Sequence, residues 1–246
     1  MPLNGQEKYN YNKKDIMEMN KSKARLAGFL YLIVVVTGIV NLGYIPSRLI
    51  EWNNAEMTFN NILSNETLFR IGILCGLICY VAFLLLPFAL YRFLKPINKT
   101  IARIMVILSV VSVPISLLNL GNKFSVLTLL NSANNLAGIE LNKVQEQILF
   151  YLQSYNSGNQ IASIFWGLWL FPFGYLVYKS GFLPKILGVL LMFGCFGYLI
   201  NFTGKLLFPL YGETIISSYI TKPGSIGEIG ICLWLLIVGT KENIKI

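Results

Sequence analysis

Residues 71–91 read IGILCGLICYVAFLLLPFALY, bounded by Arg70 on one side and Arg92 on the other. No charge interrupts the run. At about 1.5 Å per residue an α-helix of this length crosses a hydrocarbon core about 30 Å thick. A backbone in lipid must satisfy its own hydrogen bonds, so the run predicts a transmembrane helix. No polar-apolar alternation suggests a barrel strand.

Five further runs have the same character: Leu26 to Ile45, Ile101 to Leu120, Ile161 to Tyr178, Leu183 to Phe202 and Gly224 to Val238. The fold class expected is an all-α membrane protein, a bundle of six transmembrane helices. Amphipathic helices are expected in the two long external loops. Ala55 to Leu63 and Leu141 to Tyr155 place apolar residues at helical spacing, so that Met57, Ile62 and Leu63 in the first and Val144, Ile148, Leu149 and Leu152 in the second would rest on lipid or on the bundle. The chain divides into a polar basic tail (1–24), a six-span domain (25–240) and a short tail (241–246).

Composition agrees, with 55% hydrophobic and 13% charged residues in 246. The net charge of +9 lies between the apolar runs, not in a basic surface interleaved with stacking aromatics, so nucleic acid is not an expected partner. Membrane lipids are. Cys75, Cys79, Cys195 and Cys232 fall inside apolar runs and lack metal-ligand spacing, so neither a disulfide framework nor a metal is expected. The chain has no histidine, which removes Ser-His proteases, HExxH metalloproteases and His-ligated haem. With no phosphate-binding loop or dinucleotide fingerprint either, no cofactor is expected.

Basic residues are retained on the cytoplasmic side of spans. Lys8, Lys13, Lys14, Lys21, Lys23 and Arg25 precede the first span, Arg92, Lys95, Lys99 and Arg103 join the second to the third, Lys179 and Lys185 join the fourth to the fifth, and Lys241 and Lys245 follow the sixth. The opposite side holds only Arg48, Arg70, Lys123, Lys143, Lys205 and Lys222. This places both termini in the cytoplasm of a cell-membrane protein. The basic tail, read as disordered, suits anionic lipid at the inner surface.

Glu228 is the sharpest polar signal, because a carboxyl group inside a span needs a partner or a wet cavity. Counting back from Gly239 puts it roughly 16 Å from the cytoplasmic boundary. The same ruler sets Asn41, Asn119, Gln160 and Asn201 roughly 24 to 27 Å from that boundary, with Asn122, Asn156 and Asn159 slightly farther out. One reading is an outward-facing polar cavity for a small molecule or ion, with Glu228 near its floor. The other is that the amides cap helices or bond between them. Arg70 is the candidate cation for Glu228, although a depth difference of about 15 Å requires an unwound start to the sixth span, which Gly224, Gly227 and Gly230 permit. Gly72 and Gly76 form a GxxxG that would let a partner helix approach. Pro87, Pro114 and Pro172 should bend or break their spans.

Three sets of residues, Arg25-Leu-Ala-Gly-Phe-Leu-Tyr-Leu-Ile, Glu66-Thr-Leu-Phe-Arg-Ile-Gly and Ala89-Leu-Tyr-Arg-Phe-Leu-Lys-Pro-Ile-Asn, are followed by Ser112-Val-Pro-Ile-Ser-Leu-Leu-Asn, by the stretch from Phe165 to Gly188 and by Gly227-Glu-Ile. In this order they resemble the bacterial multi-pass membrane protein family catalogued as domain of unknown function 4386, over roughly residues 25 to 240. The resemblance implies a multi-pass membrane protein and supplies no catalytic residues. It also implies that Glu228, the Arg-Ile-Gly of the second span and the Pro-Lys-Ile-Leu-Gly turn belong to the family's pattern. Three functions follow as expectations: binding or passing a small molecule or ion, serving as an accessory subunit of a membrane complex, or modifying lipid with Glu228 as acid or base. No second catalytic group supports the last.

Overall fold

A computed structural model describes residues 5–133 and 138–240, with side chains described for 21–133 and 138–240. The tail 241–246, with Lys241 and Lys245, lies outside the described residues. Among the described residues ten α-helices occur, in the order α1 (Gly5–Ile39), α2 (Ile45–Leu49), α3 (Ala55–Ser64), α4 (Glu66–Leu94), α5 (Lys99–Ser132), α6 (Ile139–Leu168), α7 (Leu170–Lys179), α8 (Lys185–Leu207), α9 (Ile215–Tyr219) and α10 (Lys222–Ile237). A π-helical turn, Val40–Tyr44, joins α1 to α2, and a 3-10 turn, Tyr211–Glu213, precedes α9. No strand occurs among the described residues.

Among the described residues, six helical stretches are long and apolar enough to cross a membrane: Lys21–Leu49, Glu66–Leu94, Lys99–Ser132, Ile139–Lys179, Lys185–Leu207 and Ile215–Ile237. Their outward faces are as apolar as their inner ones. Leu118 is 82% exposed and Phe193 60%, an arrangement suited to lipid and not to water. The protein is therefore an all-α, multi-pass membrane protein.

The helix ends follow from local chemistry. Asn54 caps α3 by accepting the Met57 N–H at 2.9 Å, and Asn98 caps α5 by accepting the Ile101 N–H at 3.0 Å. Pro184 immediately precedes α8. Gly181, at φ +73°, turns the chain between α7 and α8 in the left-handed region that a Cβ disfavours. The amphipathic segment in the first long loop is α3. The second, Leu141 to Tyr155, is also helical, but it is continuous with the following span as the first part of α6.

The three prolines act differently from one another. Pro87 and Pro114 lie within unbroken α4 and α5. Pro172 has no N–H to give the Leu168 carbonyl, and α6 ends at Leu168 with Trp169 between it and α7. The basic tail is also helical, since α1 begins at Gly5. Between Gln6 and Ala27 it holds no Gly or Pro, the residues that most oppose a helix.

The chain forms two compact units. The first comprises residues up to Leu32, Leu85–Ser109 and Trp166 onward; the second comprises Ile33–Leu84 and Val110–Phe165. In the first, α8 packs against both α7 and α10, around a core including Tyr31, Leu86, Met105, Trp169, Phe173 and Ile231. A Cβ at Gly194 would stand 2.5 Å from Gly224 Cα, so these two glycines set the approach of α8 to α10. In the second unit, Ile45, Leu49, Ile62, Phe69, Ile148 and Leu152 are buried. Gly72 faces the Ile45 side chain, while Gly76 faces Asn41 and Leu120.

Candidate functional site

The densest polar arrangement lies in the second unit and centres on a residue that charge counting assigns to a loop. Lys123 is only 1% exposed, because α5 runs on to Ser132 instead of ending near Leu120. Its Nζ donates to Asn41 Oδ1 at 2.6 Å and to the Asn41 carbonyl at 3.5 Å. It also lies 4.3 Å from the centroid of the Tyr155 ring, within cation–π range.

The π-helical turn explains why that carbonyl is available. The Ile45 N–H reaches back to Val40, and Pro46 has no N–H. The Asn41 carbonyl is thus open to a donor from another helix. Asn41 itself is fully buried. Its Nδ2 donates to the Tyr155 hydroxyl at 3.0 Å, which in turn lies 3.3 Å from the Tyr80 hydroxyl.

Asn119 extends the network by donating to the Tyr155 carbonyl at 2.8 Å and to Asn159 Oδ1 at 3.0 Å. Asn122 donates to the Asn119 carbonyl and to its Oδ1, both at 3.1 Å. Gly158 leaves the space that the Asn119 amide fills, since a Cβ there would collide with Asn119 Oδ1 and Cγ. Gly158→Ala is expected to push the amide off its partners. The cost is about 1–3 kcal/mol for the unsatisfied buried groups, measurable as a lower thermal unfolding midpoint in detergent.

Glu228 sits in the first unit, half-buried on α10. Its Oε1 accepts a hydrogen bond from the Tyr31 hydroxyl at 3.0 Å. The Tyr31 ring lies 6.1 Å from Trp169 and 6.3 Å from Phe173, which stack on each other at 5.1 Å. The partner of Glu228 is therefore an uncharged donor. Arg70 instead forms an i,i+4 pair with Glu66 at 2.6 Å. The unwinding that would have brought Glu228 toward Arg70 does not occur. Gly224, Gly227 and Gly230 are helical, and they admit Gly194, Leu191 and Leu187.

The candidate residues are thus brought together in two sets. Asn41, Asn119 and Asn122 share the Lys123–Tyr155 network. Glu228 belongs to the other unit, as does Asn201, whose Oδ1 accepts from Ser217 Oγ at 3.1 Å. Gln160 is half-buried on α6, and its carbonyl accepts from Ser163 Oγ. Surface depressions of about 690 Å³ along Glu140, Lys143, Glu146, Gln147 and Phe150, and of about 340 Å³ beside Leu199, Thr203, Phe208 and Tyr211, border none of these candidates.

Sequence reasoning missed Lys123, Tyr155 and Tyr80. A signal for the first was present. The apolar residues of Phe124 to Leu130 follow Lys123 without a proline, so the helix had reason to continue past it.

The family described as "Domain of unknown function (DUF4386)" matches residues 26–239. A protein of Archaeoglobus fulgidus, described as uncharacterized, is 31% identical over 156 residues, which is 62% of this chain and 74% of the relative. This relative is archaeal, and it does not confirm the bacterial origin that the resemblance implies. No solved structure matches the chain. With the family match running from within the first span through the sixth, the chain belongs to the DUF4386 family.

Proposed function

We propose that this protein binds, or passes across the cell membrane, a small polar solute or ion, with both termini in the cytoplasm. One observation carries the reading: a buried lysine, four asparagines and two tyrosines form one hydrogen-bonded network among apolar helices. Such groups are expensive in a membrane, and an ionisable side chain there marks a functional site by default. The adjoining π-helical turn is a further support, since these turns recur at functional sites. Charge distribution along the sequence favours access to the network from outside. The accessory-subunit reading loses its main support, because Gly72 and Gly76 face Ile45, Asn41 and Leu120 of the same chain.

Cysteine accessibility tests this reading. In a background with Cys75, Cys79, Cys195 and Cys232 replaced, Asn122→Cys is expected to react with a membrane-impermeant thiol reagent added outside intact cells. Glu228→Cys, tested in the same way, reports separately on access to the Tyr31 pair. Protection of position 122 from outside, with labelling only after the cells are opened, would overturn both the orientation and the access route.

A further inference from the structure

The Lys123 site carries an imbalance of charge that points to its ligand. The acceptors around Nζ are Asn41 Oδ1, the Asn41 carbonyl and the face of the Tyr155 ring. Three acceptors match the three N–H donors of an ammonium, whereas a neutral amine would turn a lone pair toward one of them. All three are uncharged. In the second unit Glu51, Glu56, Glu140 and Glu146 are exposed, and Glu66 is paired with Arg70. No carboxylate contacts Lys123 among the described residues. A buried cation without an opposite charge is the costly half of an ion pair.

Resting on the solute-handling reading above, we infer that Lys123 binds a small anion, a halide or the carboxylate of a small organic acid, as its counter-ion. Asn41 Oδ1, at 2.6 Å, occupies the place of the anionic acceptor and is the group a ligand displaces. The surroundings suit that exchange. Beside the ammonium, the Asn41 amide and the Tyr155 hydroxyl that it bonds supply uncharged donors. Gly76 presents no side chain to the Asn41 amide; a Cβ there would lie 3.1 Å from its Nδ2.

The test is thermal unfolding of the purified protein in neutral detergent, with sodium chloride or sodium acetate titrated into low-salt buffer. Wild type is compared with Lys123→Met, which removes the charge, and Asn41→Asp, which supplies an internal carboxylate at the ligand's place. The expected result is a saturating rise of roughly 5 to 10 °C in wild type at about a hundredfold excess over the dissociation constant. The rise should be absent in both variants. Saturation with chloride alone assigns a halide, and with acetate alone a carboxylate. An equal rise in all three proteins is a general salt effect and overturns the inference.

Potassium, choline and glycerol are run in parallel at fixed chloride. If one of them stabilises wild type but not Lys123→Met, while the anions do not, solute binding stands and the anion assignment falls. No response to any solute removes both. Should Lys123→Met fail to fold, Asn41→Asp still decides, because it keeps the lysine and differs from wild type by one charge.

Discussion

Gly28→Val is expected to separate α1 from α10 and to lower the unfolding midpoint in detergent by about 10 °C or more. A Cβ at position 28 would stand 2.5 Å from Leu236 N, 2.8 Å from Leu235 C and 2.9 Å from Leu236 Cα. All three are backbone atoms, so no rotamer change relieves the collision, and the helices must move apart. Between helices in lipid there is little hydrophobic drive to compensate, and close contact is what holds them. Two links would be strained by the same movement: the Tyr31–Glu228 bond at 3.0 Å and the Cys232 thiol on the Gly28 carbonyl at 3.7 Å. Overpacking of about 3 kcal/mol with a lost part-buried hydrogen bond of about 1 kcal/mol gives the stated shift. Gly121→Ala is the control of opposite sign. Nothing lies within 4 Å of a Cβ there, and α5 should gain roughly 0.5–1 kcal/mol from the better helix former. A Gly28→Val protein that melts with wild type would mean that α1 and α10 are not held by this contact.

The contrast between these glycines shows what a single sequence contains. Run length and charge placement expose the six spans, because hydrocarbon thickness dictates how many apolar residues a helix needs. They locate a helix end less well. Gly121-Asn122-Lys123 looks like an exit from the membrane, yet α5 continues to Ser132 and buries the lysine. The depth ruler was similarly half-sufficient. It placed Asn41 and Asn119 at one level, and they do share the Tyr155 partner. Asn201 was placed at the same level but is bonded to Ser217 in the other unit. Depth along an axis carries no information about azimuth, and azimuth is set by packing. Glu228 was legible as a costly group, whereas its partner was not. Charge pairing suggests a cation, but an uncharged phenol held among buried rings also satisfies a carboxyl oxygen.

Those rings supply the other large effect, since Trp169→Ala is expected to cost about 3–5 kcal/mol. Trp169 is completely buried, stacked on Phe173 with the planes 8° apart, and inclined at 51° to Tyr31. It stands where α6 meets α7: Pro172 leaves the Leu168 carbonyl without its helical donor, while the Trp169 backbone itself stays helical at φ −68° and ψ −23°. Truncation empties a site bounded by rigid rings, so little collapse can recover the lost contacts. Transfer to lipid contributes less than it would to a soluble core; the cavity and the lost dispersion contacts make up most of the cost. Trp169→Phe keeps a ring against Phe173 and should lose less than half as much. Trp166→Ala provides the comparison on the same stretch of chain, since Trp166 is only half-buried. The expected order of unfolding midpoints is wild type, Trp169→Phe and Trp166→Ala close together, then Trp169→Ala about 10 °C or more below wild type. Equal losses from the two alanine variants would show that the stack does not hold Tyr31 against Glu228. A selective loss at position 169 would instead tie the pairing of the half-buried Glu228 carboxyl group with Tyr31 to the ring stack at the junction of α6 and α7.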